Sequence, residues 1–299
     1  MRLMLEQLDH FLRELKTERG LSANTLVAYR RDLRQYTLFL KAEAHCTSWE
    51  NVRDVDVMKY LYWLRDKGGA PATLARKAAA VRGLHQFLLR HHEAGSDPAF
   101  GIDVPKVERP LPKILSVEEV EKLLRTPSGK TAAGKRDRAM LEVLYGTGIR
   151  VTELVQLNVD DLHLSMGFLR CRGSRGSERI IPVGSLARKA VQTYITEVRD
   201  RLVIPKEEPA LFLNRRGRRM TRQGFWKILK KHALSAGVGT SLSPETLRHS
   251  FAAHLLENGA ELEAVEELMG RAEPAAAQRY RRTPRQRLKD VYARCHPRA

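Results

Sequence analysis

The sequence predicts a mainly α chain with a small β-sheet, divided into an N-terminal four-helix unit and a larger C-terminal unit. Three observations carry this expectation. Apolar residues recur at helical spacing over most of the 299 residues. Two short β-prone runs, 168–172 and 179–183, flank Gly173-Ser174-Arg175-Gly176-Ser177 and read as a hairpin. Residues 98–112 hold Pro98, Pro105, Pro110 and Pro112 with no helical period, which is the composition of a linker. The expected division is therefore 1–97, a linker over 98–112, and 113–299.

The elements follow in chain order. Leu5, Leu8, Phe11, Leu12 and Leu15 form one apolar stripe, which Gly20 breaks. Ser22 or Asn24 caps a second helix with Leu26, Tyr29, Leu33, Tyr36 and Leu40 on its inner side. Arg30, Arg31 and Arg34 fall on the other side. A third helix covers about 55–66, with Trp63 in the core, and Lys67-Gly68-Gly69-Ala70-Pro71 makes a turn. A fourth, over about 72–91, carries Arg76, Lys77, Arg82 and His85. Four helices with basic outer faces suit phosphate contacts, although such faces on any helical domain are also simply solvated.

In the second unit Ser116 caps a helix reaching 125, with Glu118 and Glu119 in its first turn. The stretch 135–145 reads as a core helix ended by Gly146 and Gly148, and further helices cover about 185–201 and 221–236. Two amphipathic helices meet at Asn258-Gly259, a helix-stopping pair. Ser243 suits the N-cap of the first and Pro244 its first helical position.

A formal net charge of +18 favours an anionic partner, most often nucleic acid. Cys46, Cys171 and Cys295 are few and widely spaced, which argues for a reducing cytosol and against a disulfide frame or a cysteine zinc site. No apolar run approaches the roughly 20 residues of a membrane helix. The expected setting is cytoplasmic, with no membrane, no metal and no cofactor. No Gly-rich phosphate loop with Lys-Ser/Thr is present, and His232, His249 and His254 lack a metal-ligand spacing with nearby carboxylates, so solvated or packed histidines are the safer expectation.

Leu247-Arg248-His249-Ser250-Phe251 lies some thirty residues before Gln278-Arg279-Tyr280. A guanidinium to hold a phosphate and a phenol to attack it suit chemistry on a phosphodiester. These segments, with Leu141 to Leu154 around Gly146-Thr147-Gly148-Ile149-Arg150 and the run Asn24 to Leu33, resemble the tyrosine recombinases, also called phage integrases, and within them the Xer subgroup. The closing His296-Pro297-Arg298-Ala299 is similar too.

The resemblance implies an N-terminal SAM-like core-binding domain and a C-terminal catalytic domain that grip duplex DNA. It makes Arg150 and Arg248 the phosphate clamp and Tyr280 the nucleophile of a 3′-phosphotyrosyl intermediate. Arg30, Arg31, Arg34, Arg76, Lys77, Arg82, Arg279, Arg281 and Arg282 become DNA contacts. Three positions depart from the family pattern. Its hairpin lysine, which protonates the leaving 5′ oxygen, falls on Ser174, with Arg175 one place away. Arginine is effectively never deprotonated and makes a poor general acid. The histidine of its His-x-x-Arg motif falls on Glu245, and a later His or Trp falls on Arg271, which can still donate to a phosphate oxygen. The family works as a tetramer on DNA, so a homo- or hetero-tetramer with another Xer-type subunit is expected, its C-terminal segment 288–299 packing on a neighbouring protomer. Two functions stay open: a Xer-like recombinase resolving chromosome or plasmid dimers, or a catalytically silent DNA-binding paralogue serving an active recombinase. A plain helical transcription factor fits the charge but not the Arg150, Arg248 and Tyr280 constellation.

Overall fold

The computed structural model describes residues 2–102, 113–173, 178–202, 208–239, 242–270 and 285–299. Ser174, Arg175, Arg271, Arg279, Tyr280, Arg281 and Arg282 lie outside the described residues. The chain divides into two compact units, Met1–Pro110 and Leu111–Ala299. Both are mainly helical, and the second holds a three-stranded sheet.

In the first unit, α1 spans Arg2–Thr17, α2 Ala23–Glu43, α3 Asp54–Asp66 and α4 Pro71–Arg90. Gly20 sits at φ +58° between α1 and α2, a conformation that favours glycine. Ser22 is the cap of α2 and accepts from the Thr25 amide at 3.2 Å. The stripes close into one core: Leu8, Phe11, Leu12 and Leu15 meet Leu33, Tyr36 and Leu40, with Tyr60 from α3 and Leu84, Phe87 and Leu88 from α4. Trp63 is only partly buried against this core. The fully enclosed tryptophan is Trp49, in a 3₁₀ turn before α3, whose indole N–H donates to the Met4 carbonyl at 3.3 Å. Ala99 and Ile102, within the Pro-rich stretch, are also buried here.

Two residues of α4 expected on a basic outer face turn inward. His85 is fully buried and pairs with the Tyr36 hydroxyl at 3.0 Å, and burial pushes its imidazole down to about 4. The reason is register: His85 lies beside Leu84 and one turn after Val81, on the core side of α4. Lys77 has a side chain only 11% exposed, because its ammonium reaches Asp32 at 2.7 Å and Gln35 at 2.6 Å. Arg76 shares Asp32 at 2.8 Å. Arg30, Arg31 and Arg34 remain exposed, Arg30 with Asp9 at 3.1 Å.

The second unit is built around α6, Ala132–Thr147, which is buried over most of its length. Ser116 and Glu119 form a capping box at the start of α5, Val117–Arg125. Gly146 lies inside α6 rather than ending it, and its carbonyl accepts from the Tyr292 hydroxyl at 2.7 Å. The stop is Gly148, left-handed at φ +59°. A short α7, Val151–Gln156, follows at once. The hairpin is present as β2, Phe168–Arg172, antiparallel to β3, Glu178–Pro182, with Arg172 opposite Glu178. A two-residue β1, Leu162–His163, adds the third strand beyond β2. Then α8, Ser185–Tyr194, runs through one π-helical turn into the short α9, Asp200–Leu202. Next come α10, Arg222–Ala236, α11, Pro244–Glu257, and α12, Leu262–Met269. Ser243 caps α11 by accepting from Thr246 N–H at 3.2 Å.

The C-terminal segment packs on its own domain. Leu288, Val291, Tyr292 and Cys295 of α13, Arg285–Cys295, join the core of the second unit. Arg298 donates to both oxygens of the buried Glu142, at 2.6 and 3.1 Å, and Ser185 donates to the Ala299 carbonyl at 3.1 Å. In the single chain the apolar face of α13 is covered by its own domain.

Candidate phosphate-binding cleft

Gly148 brings two segments together. Its left-handed turn aims the chain into α7, with Arg150 as the N-cap residue. On the other side Phe251 of α11 lies so near that a Cβ at position 148 would stand 2.3 Å from the ring. Three residues before Phe251, Arg248 is 5% exposed and donates to the Gly148 carbonyl and the Met269 carbonyl, both at 2.5 Å. A turn carbonyl and a helix-end carbonyl thus fix its fork.

Arg150 is held differently. Its amide donates to Glu153 at 2.6 Å and its guanidinium reaches the same carboxylate at 3.3 Å. Glu153 is nearly buried and takes a bidentate pair from Arg179 of β3, at 2.9 and 3.0 Å. Arg179 is itself anchored to the Leu268 carbonyl at 3.0 Å. Burial pushes the Glu153 carboxyl up, but the Arg179 fork and the Arg150 amide outweigh it and hold the group below its ordinary range. Burial pushes the neighbouring Cys171 thiol up to about 12, so it is no thiolate nucleophile at neutral pH. The Arg150 side chain stays 45% exposed.

Arg150 and Arg248 line one cleft of about 310 Å³, with Ile149, Val151, Thr152, Arg222, Pro244, Glu245 and His249. A larger cleft of about 750 Å³ shares Val151, Arg222, Pro244 and Glu245, and adds Thr221, Gln223, Trp226 and Lys227 from the start of α10. Trp226 is 49% exposed, with the Lys230 ammonium 5.2 Å from its ring centroid. Two guanidinium groups facing one concavity suit a phosphodiester. Glu245 opposes that charge: it is exposed, in the first turn of α11, on the wall of both clefts.

Glu153, Arg179, Arg222 and His249 are absent from the sequence-derived candidates. For Glu153 a signal existed, because Arg150 to Glu153 has capping-box spacing. For Arg179 and Arg222 none existed, since their place depends on contacts between distant elements. His232 and His254 are packed: His232 lies between Asp137 and Thr126, and His254 between the Tyr145 hydroxyl and the Leu115 carbonyl. Among the described residues no group of three His, Cys, Asp or Glu could hold a metal ion, and no helix is long and apolar enough to cross a membrane.

Comparison with known proteins gives the family and the fold. The phage integrase family matches residues 113–287, and the phage integrase N-terminal SAM-like domain matches 8–92. The chain is 48% identical over 296 residues to the tyrosine recombinase XerD of Oceanobacillus iheyensis, covering 99% of this chain and 98% of that protein. It is 47% identical over 292 residues to XerD of Halalkalibacterium halodurans, covering 98% of each. Among solved structures, the XerH site-specific recombinase bound to its difH substrate shares the fold, with TM-score 0.70 and 21% identity over 96% of this chain and 94% of that one.

Proposed function

From the premise that the chain belongs to the phage integrase family, as a tyrosine recombinase of the Xer group, we propose the chemistry of a site-specific recombinase acting on duplex DNA. One observation carries the reading: Arg150 and Arg248, from segments far apart in sequence, line the same cleft. In this proposal their guanidinium groups hold the non-bridging oxygens of the scissile phosphate and stabilise the charge of the five-coordinate transition state. The Tyr280 oxygen attacks phosphorus, the bond to the 5′ oxygen breaks, and that oxygen leaves with a proton. The reverse attack by a 5′ hydroxyl restores the phosphodiester, so no nucleotide cofactor is consumed. A phenol with an ordinary pKa near 10 needs such a cationic setting to become a competent nucleophile.

The division of labour follows the family domains: residues 8–92 contribute backbone grip through Arg30, Arg31, Arg34 and Arg82, and the second domain contributes the cleft. Arg175 and Arg271 take the departed lysine and His/Trp roles as charge donors only, which slows proton delivery to the leaving group. Assembly is a tetramer on DNA, like the lambda integrase tetramer bound to a Holliday junction, with a second Xer-type subunit as the natural partner. The setting is the cytosol and the task is resolution of chromosome or plasmid dimers.

The test is a nicked suicide duplex incubated with protein and resolved on a denaturing gel. A covalent adduct that disappears with Tyr280→Phe supports the reading. A wild type that binds the duplex without adduct, while Ser174→Lys with Glu245→His forms one, assigns the chain to a DNA-binding partner role instead.

A further inference from the structure

From Pro209 to Pro244 the sequence has no aspartate or glutamate, and Arg215-Arg216-Gly217-Arg218-Arg219 falls near the start of that stretch. These residues form a tight turn just before α10. The Asn214 side-chain oxygen accepts from the Arg216 amide at 2.8 Å and the Arg218 amide at 3.3 Å. The Asn214 amide donates to the Arg218 carbonyl at 2.7 Å. Gly217, at φ +68°, donates to the Asn214 carbonyl at 3.1 Å, and Leu213 pairs with Arg219 across the turn. Arg219 points inward: it donates to the Val155 and Leu157 carbonyls at 3.0 and 3.1 Å and to the Asn158 side-chain oxygen at 2.6 Å. Arg215, Arg216 and Arg218 are exposed, and among the described residues no ion pair engages any of the three.

The turn is tied at both ends to elements that wall the cleft. Val155 lies near the end of α7, and Arg150 caps the start of that helix, about 9 Å away at the usual rise per residue. On the other side the Met220 amide donates to the Phe212 carbonyl, and Thr221 then caps α10. Thr221 and Arg222 line the larger cleft. Three like charges within four residues repel one another, and a backbone fixed by hydrogen bonds cannot spread them apart. A row of phosphates relieves that repulsion, and a turn already ordered loses little freedom on meeting it. We propose that Arg215, Arg216 and Arg218 grip backbone phosphates on one flank of the scissile phosphate, and so fix which stretch of backbone lies over Arg150 and Arg248. Such contacts carry no base information but set register. The identity of the polyanion rests on the reading that duplex DNA enters the cleft.

The experiment measures duplex binding by the full chain against salt concentration, with no cleavage required. The triple variant Arg215→Gln, Arg216→Gln, Arg218→Gln is expected to lower the salt slope by about 3, one for each phosphate contact. Its urea midpoint stays at the wild-type value, because none of the three side chains holds the fold. The triple variant Arg215→Lys, Arg216→Lys, Arg218→Lys keeps the charge and with it the wild-type slope. A second series shortens the duplex one base pair at a time from each end. Wild type loses affinity at the step that removes the gripped phosphates, and the glutamine variant does not. A steep wild-type slope shared by the glutamine variant overturns the proposal alone, as does an equal response of both proteins to every shortening. A flat wild-type slope removes duplex DNA as the partner, and the recombinase reading falls with it.

Discussion

Two buried carboxylates, one in each unit, are each held by two cations, and their difference is instructive. Asp32 in the bundle takes Arg76 and Lys77 from α4 and ties that helix to α2. Glu153 in the second unit takes Arg179 as a bidentate fork, which leaves Arg150 with one longer contact and a side chain facing the cleft. The same chemistry serves architecture in one place and aim in the other. What separates them is how completely the acid is satisfied before the last cation arrives.

The comparison can be broken by substitution. Glu153→Gln leaves the Arg179 guanidinium without its carboxylate, and the expected loss is about 3–5 kcal/mol in urea unfolding of the second unit. Asp32→Asn is expected to destabilise the first unit while leaving adduct yield unchanged at saturating DNA; a lost adduct at full occupancy would erase the distinction. Arg150→Ala should behave in the opposite sense, cutting adduct formation about 10²–10³-fold with little change in the urea midpoint, because Glu153 keeps Arg179. Equal destabilisation by Arg150→Ala and Glu153→Gln would make Arg150 a structural residue.

Acid sharpens the contrast. The folded Glu153 carboxyl lies below its ordinary value, so its contribution is complete above the unfolded value of about 4.3 and disappears as pH falls through the folded one. Urea midpoints measured from neutrality down to about pH 3 should fall for wild type. They should fall less steeply for Glu153→Gln; Asp137, also held low against its own burial by His232 and Arg136, keeps its share in both proteins. The smallest effect distinguishes exposed from captured cations in the bundle. Arg34→Gln should reduce the salt slope of DNA binding by about 1 without changing stability, whereas Lys77→Gln should lower stability and leave the slope alone.

Much of this was legible in the residues. Ser22, Ser116 and Ser243 announced three helix starts because caps are local, and the stripe from Leu8 to Leu40 announced the bundle core because periodicity is local too. The glycines before Arg150 marked a turn, although the stop is Gly148 and Gly146 is helical. His85 and Lys77 were misplaced because one residue of register decides which face a side chain takes, and a polar residue on the inner face gives no apolar signal. Glu153 with Arg179, and Arg298 with Glu142, join elements whose meeting is settled only by packing. The core that α13 joins was not legible for the same reason: an apolar face states that it needs cover, not which elements supply it.

The close approach at Gly148 has a consequence for how this cleft can change. A single added carbon there would collide with the Phe251 ring and drive apart the strands of chain that deliver the two guanidinium groups. The calibre of the cleft is thus set by a hydrogen atom where any other L-residue carries a side chain. Wall positions such as 245 can trade one charge for another while that gauge stays fixed, so the lining can drift chemically long before the opening changes size.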